Sequence, residues 1–169
     1  RLVLFEGWDI QDMGQYLEGE SLYTKKEFME ATNKNFNAEF VFLKNKPGNL
    51  SLEGYIFPDT YYVPKAISAL ELTKFMKANF EEKVGRVDPQ VVTMASLLEK
   101  EVRQLADKKI VSGILWKRLS VAMPLQVDAA PETYESQGLP VGPIANPGLE
   151  SIHAALEPAE SPYWFYLSA

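Results

Sequence analysis

Pro89-Gln-Val-Val-Thr-Met-Ala-Ser-Leu-Leu-Glu-Lys-Glu-Val-Arg-Gln-Leu105 is the stretch on which the reading of this sequence turns. Val91, Met94, Ala95, Leu98, Val102 and Leu105 recur at spacings of three and four, the pattern of a helix with one apolar face. Asp88 followed by Pro89 supplies its start: a side-chain oxygen for the free N–H groups, then a proline whose fixed φ suits the first helical position. At about 100° per residue, Glu101 falls roughly 60° from the centre of the apolar stripe. Glu99 falls about 100° away on the other flank, with Arg103 one turn on. That spacing predicts a solvent-facing Glu99–Arg103 ion pair worth about a few tenths of a kcal/mol.

Glu101 at the rim of an apolar face is chemically distinctive, because desolvation there favours the protonated carboxyl. A carboxylic acid that keeps its proton near neutral pH is what a general acid requires. The competing reading, a helix-edge glutamate paired with a lysine or arginine, is the commoner case for such positions.

Outward from this helix, other starts carry their own punctuation. Thr24-Lys-Lys-Glu27 and Ser68-Ala-Leu-Glu71 are capping boxes, the second opening a helix to about Val84. Ile10, Met13 and Leu17 mark an earlier helix. Asp107 is the expected cap of a helix through Ile110, Ile114, Leu115 and Leu119. Asn146 with Pro147 is the expected cap of Leu149–Leu156. Phe40–Leu43 and Tyr163–Leu167 have strand composition. Leu52–Tyr62 is an aromatic loop broken by Gly54 and Pro58. Its Tyr55, Phe57, Tyr61 and Tyr62 read as core before they read as sugar-stacking rings. Gly138–Gly148 holds three glycines and three prolines, a stiff loop suited to fixing backbone groups in place. The fold class is α+β with helices dominating, and both ends read as the middle of something longer.

Composition narrows the function. The chain has 169 residues, enough for a real core, with 46% hydrophobic and 24% charged residues arguing against wholesale disorder. A net charge of −6 argues against nucleic acid as a partner. No apolar run is long enough to span a membrane, and the opening residues, Arg1 to Phe5 before a charged turn, are not expected to form a signal peptide. Cysteine is absent, which removes disulfides, thiolate metal sites and a cysteine nucleophile. His153, the single histidine, excludes a multi-histidine metal site and reads as a structural residue inside its helix. No metal and no cofactor are expected.

Five pieces, in order, carry a resemblance. Thr93-Met-Ala-Ser-Leu-Leu-Glu-Lys-Glu101 resembles the signature of the MltG (YceG-like) endolytic murein transglycosylases. Leu52–Tyr61 resembles that family's E-G-(aromatic)-x-(aromatic)-P-D-T segment, and Ile110–Leu119 its following helix. Met123-Pro-Leu-Gln-Val-Asp128 resembles M-x-L-Q-(S/T)-D, and Gly138–Gly148 resembles G-L-P-P-G-P-I-x-N-P-G. The resemblance implies a helix-rich catalytic domain over 46–169. It also implies residues 1–45 as part of an amino-terminal subdomain whose LysM-like module is mostly missing.

The activity implied is cleavage of the β-1,4 bond from N-acetylmuramic acid to N-acetylglucosamine in nascent peptidoglycan. The muramic acid's own 6-hydroxyl attacks, leaving a 1,6-anhydro end. One carboxyl suffices as acid and then base, where hydrolases use two. Glu101 matches the family's essential glutamate. Gln126, Asp128, Glu53, Asp59, Thr60, Tyr134 and Asn146 are the expected substrate-binding residues. The parent protein is expected on the outer face of the bacterial cytoplasmic membrane, anchored in it, with cell-wall synthases (penicillin-binding proteins) as candidate partners. One departure stands out: the family carries a longer insert after L-Q-x-D, ending in Y-N-T-Y. Here only Thr133-Tyr134 correspond, with Glu132 in the asparagine's place. The rival readings are a non-catalytic peptidoglycan-binding scaffold, a lysozyme-like hydrolase, and a pyridoxal-phosphate lyase. No lysine here sits in a glycine-rich phosphate-binding context that would suit the last.

Overall fold

The computed structural model describes residues 1–36, 38–39, 43 and 51–167. In chain order these form β1 (Leu2–Val3), α1 (Ile10–Gly19), α2 (Lys25–Thr32), β2 (Thr60–Tyr61), α3 (Ala69–Lys83), α4 (Pro89–Glu101), α5 (Leu105–Ser120), a 3-10 turn (Pro131–Tyr134) and α6 (Leu149–Leu156). Among the described residues the only sheet is the antiparallel β1–β2 pair, Leu2 opposite Tyr61 and Val3 opposite Thr60. The architecture is helix-rich α+β, as the periodicity predicts.

Both predicted capping boxes form. Thr24 accepts from the Glu27 N–H while Glu27 accepts from that of Thr24, and Ser68 and Glu71 repeat the exchange. Asp9 and Asp12 make a third box at α1 that the S/T pattern does not flag. Asp88 caps α4 through the Gln90 N–H.

Four local expectations are corrected. The helix expected to run from Pro89 to Leu105 ends at Glu101: Val102 turns extended (φ −138°, ψ 135°), and Leu105 is already the first residue of α5 behind Gln104. Asp107 therefore lies in the first turn of α5 and caps nothing. Gly148, not Asn146, is the N-cap residue of α6. Tyr163–Leu167 is irregular: among the described residues no partner strand pairs with it, and Arg118 of α5 binds the Trp164 carbonyl instead. Of the other expected strand, residues 40–42 lie outside the described residues and Leu43 is buried.

Two apolar clusters form the core, and α4 belongs to both. Val92 joins Met13, Leu17, Phe28, Tyr55, Ile56, Tyr61, Met76 and Phe80. From Met94 onward α4 packs with Val111, Leu115, Leu125, Val127, Ile152 and Ala155. Burial on nearly every side, from Val92 to Leu98, makes α4 a central helix rather than a one-faced one. Tyr55, Phe57 and Tyr61 are core, as expected, whereas Tyr62 is 74% exposed.

Candidate active site

Three consecutive charged residues end α4, and each does a different job. Glu99 turns inward. Its carboxylate takes the Lys108 ammonium (3.3 Å), the Gly148 N–H (3.0 Å) and the Ser151 hydroxyl (2.6 Å), tying α4 to α5 and to the start of α6. The side chains of Glu99 and Lys108 are 9% and 3% exposed, so the expected surface pair with Arg103 does not form. Lys108 lies in the first turns of α5, a separate helix that the sequence spacing gives no reason to fold back onto Glu99. The break at Val102 turns the chain so that Lys108 reaches Glu99. Glu6 shares this pocket, its carboxyl pushed up by burial and by Glu99, with Lys108 opposing and Glu150 adding. Lys100 donates to the Gly7 carbonyl (3.1 Å), pinning the loop before α1.

Glu101 is the residue left facing outward. It is half-buried, its Oε1 accepts the Ala129 N–H (3.1 Å), and its Oε2 faces the Tyr166 hydroxyl (3.5 Å). Among the described residues no cation forms an ion pair with it. Two clefts adjoin there. One, of about 320 Å³, is lined by Arg118, Gln126, Asp128, Tyr134 and Phe165. The other, of about 340 Å³, is lined by Val102, Arg103, Gln104, Asp107 and Ile110. Glu101, Tyr166 and Leu167 border both.

The wall opposite Glu101 is a tight turn. Val127 and Ala130 bridge, and the buried Thr133 hydroxyl accepts the Val127 N–H (2.9 Å) and donates to the Ala130 carbonyl (2.7 Å). The Gln126 N–H donates to the Thr133 carbonyl (3.1 Å), and Gln126 itself sits at φ 54°. A left-handed glutamine costs energy that the surrounding bonds must offset, and it sets the direction of the side chain at the cleft. Tyr134 donates to Asp128, which together with burial pushes its phenol up. Gln126, Asp128 and Tyr134, all expected at the site, thus gather around Glu101.

Glu53, Asn146, Asp59 and Thr60 lie elsewhere, lining neither cleft. Asn146 is fully buried and uses all its bonding capacity: Oδ1 accepts from the Gly54 and Ile56 N–H groups, and Nδ2 donates to the Trp8 carbonyl and to Glu53 (2.6 Å). It is a cross-link between three loops. Burial, first of all, raises the Glu53 carboxyl to about 7, against hydrogen bonds from Ile10, Asn146 and Gly54. Asp59 pairs with Lys83 (3.4 Å). Burial pulls its carboxyl up, but bonds from Asn79 and Thr60 and the Lys83 charge hold it below its ordinary value. The glycine-proline loop is tied down at two points: the Ile144 N–H bonds Ser96 of α4, and Pro143 rests on Gly54. His153 lies on the exposed side of α6.

Arg118, Phe165 and Tyr166 are among the cleft residues that sequence reasoning missed. Arg118 shares the apolar side of α5 with Ile114 and Leu115, and an arginine in such a place is seldom buried without partners. That signal was available. For Tyr166, in a stretch read as a strand, there was none.

The YceG-like family matches residues 1–132 and 131–169, two stretches that meet just beyond Asp128. An endolytic murein transglycosylase of Bacillus subtilis (strain 168) is 27% identical over 215 aligned positions, covering 99% of this chain and 59% of that protein. One from Streptococcus pneumoniae is 23% identical over 163 positions, covering 75% and 30%. The chain thus spans well under two thirds of these relatives. The crystal structure of a yceG-like protein from Listeria monocytogenes shares the fold, with a TM-score of 0.83 at 24% identity over 99% of this chain and 69% of that one.

Proposed function

The chain belongs to the YceG-like family, and from that membership and the surroundings of Glu101 we propose that it is a lytic transglycosylase acting on peptidoglycan glycan strands. The observation that carries the reading is Glu101 itself: a carboxyl without a cationic partner among the described residues, standing between two adjoining clefts. A glycosidic bond laid across it would have sugar on both sides.

In this reading Glu101 gives its proton to the oxygen linking N-acetylmuramic acid C1 to N-acetylglucosamine O4. The C1–O bond breaks and the N-acetylglucosamine end leaves as an alcohol. The muramoyl 6-hydroxyl then attacks C1 and returns its proton to Glu101, which closes the 1,6-anhydro ring. No water is consumed and the acid is regenerated. The Ala129 N–H and Tyr166 hydroxyl hold the carboxyl between the two transfers. Gln126 and Asp128, exposed beside it, are the groups we assign to sugar hydroxyls and amides. Glu53, Asn146, Asp59 and Thr60 we assign to building the fold behind the site. Membrane anchoring and synthase partners belong to the longer parent protein in this proposal, and among the described residues no helix is long and apolar enough to cross a membrane.

One observation favours a second reading. Asp128 puts a second carboxylate in the cleft, and a pair of carboxylates is the equipment of a hydrolase. Its bond from Tyr134 weighs against a free nucleophile or base. Mass analysis of products from purified glycan strands decides between them. We expect 1,6-anhydro ends from wild type and none from Glu101→Gln. Reducing ends would establish the hydrolase, and equal product from both proteins would remove Glu101 from the chemistry.

A further inference from the structure

Oε1 of Glu101 is held by a backbone N–H on one wall of the cleft, and Oε2 meets the Tyr166 hydroxyl on the other. Tyr166 belongs to a segment with no regular structure, so something other than a sheet must place it. Two cations of α5 do so. Arg118, only 2% exposed, donates through Nε to the Trp164 carbonyl and through Nη1 to that of Leu125, both at 2.7 Å. Its guanidinium also lies 4.7 Å from the centre of the Phe165 ring. Lys117 donates to the Ser161 carbonyl (2.7 Å) and lies over the Trp164 ring (4.6 Å). Because Leu125 precedes Gln126, one buried arginine ties the 161–166 segment to the turn that carries the opposite wall. Tyr166 packs against the second apolar cluster, and burial, then the charge of Glu101, pushes its phenol up, so the hydroxyl keeps its proton and remains a donor.

From this geometry we infer that Tyr166 is a positioning residue for Glu101, fixing the carboxyl rotamer from the cleft side while α5 fixes Tyr166. The inference rests on reading Glu101 as the acid/base. A carboxyl that gives a proton and takes one back must present the same oxygen in both steps, and a half-exposed glutamate at a helix end has rotamers to spare. The tyrosine restricts them without placing a charge beside the acid.

Tyr166→Phe keeps the ring and its packing and removes only the hydroxyl. With purified glycan strands and anhydro-product release as the assay, kcat should fall about tenfold, the loss expected for one hydrogen bond to a charged group. KM should stay within about twofold, since the ring that lines both clefts is retained. Tm should be unchanged, and Tyr163→Phe, which removes a phenol outside both clefts, should match wild type. Unaltered kcat in Tyr166→Phe, a matching rise in KM, or a kcat loss tracked by a fall in Tm would each overturn the inference. Glu101→Gln in the same assay keeps the two readings apart. If it is inactive while Tyr166→Phe equals wild type, only the role of Tyr166 fails. If it retains wild-type turnover, the assignment of Glu101 fails first.

Discussion

Replacing Glu99 with Gln separates two readings of the same residue by a measurable margin. On the surface, paired with Arg103 one turn away, the substitution would cost about 0.3–0.5 kcal/mol or less. In the structure Glu99 is, among the described residues, the one carboxylate bonded to a lysine that is 3% exposed, and it also receives the Gly148 N–H and the Ser151 hydroxyl. A glutamine of the same shape keeps an acceptor for one side but turns an amide donor toward the other, leaving a buried ammonium unneutralised. Breaking a buried pair from one side costs about 3–5 kcal/mol. Glu6 lies in the same pocket and is held up partly by Glu99, so its ionisation offsets part of the loss. The expected cost is therefore near the lower end, about 3 kcal/mol. For a chain of this size that lowers Tm by about 6–12 °C, and it shifts the midpoint of chemical denaturation accordingly. Adding Lys108→Met should recover most of the loss, because the orphan charge leaves with its partner. A cost below about 1 kcal/mol for Glu99→Gln, or a double mutant as unstable as the two singles summed, would refute the buried pair.

Two further outcomes test the frame behind the site. Glu53, raised by burial to about 7 from an ordinary 4.5, holds a proton in the folded protein that the unfolded chain has already released in that window. Stability from this group is thus complete below the ordinary value and is lost as pH rises through the folded value, about 3 kcal/mol in all. Wild type measured against Glu53→Gln in denaturant should lose that advantage between about pH 4 and about pH 8, and a pH-independent difference would contradict it. Gly54→Ala strains a backbone at φ +87° and puts a methyl 2.4 Å from Pro143, whereas Gly85→Ala, at φ +73°, meets nothing within 4 Å. We expect a cost of about 2–5 kcal/mol for the first and about 1–2 for the second by thermal denaturation. Equal costs would mean that Pro143 does not press on the Gly54 turn.

Short-range physics explains most of what was legible in the chain. Thr24 and Glu27, Ser68 and Glu71, and Asp88 with Pro89 mark helix starts because a cap needs only atoms within a few residues of one another. Glu101 is singled out both by its place in the ordered motifs and by a helical wheel that sets it nearer the apolar stripe than Glu99. Yet in the structure Glu99 is the one turned inward, and Glu101 is half-buried and faces outward. The same rule failed for Glu99: it assumed a straight helix through Val102. What bends the chain there, Lys108 and the start of α6, acts across nine to about fifty residues. Asn146 shows the limit from another side. A small polar residue before a proline looks like a cap locally, yet its four partners sit on loops some ninety to about 140 residues away in sequence.

The sequence by itself determined the helix inventory, the family resemblance and the glutamate worth testing, since these rest on local periodicity, capping chemistry and ordered motifs. The tertiary structure alone decided which of three adjacent charges faces the cleft. It also decided that Gln126, Asp128 and Tyr134 meet Glu101 while Glu53 and Asn146 do not, and that an irregular tail supplies Tyr166. Those outcomes depend on which charges can be buried with a partner, and that is settled only when distant segments compete for the same interior space.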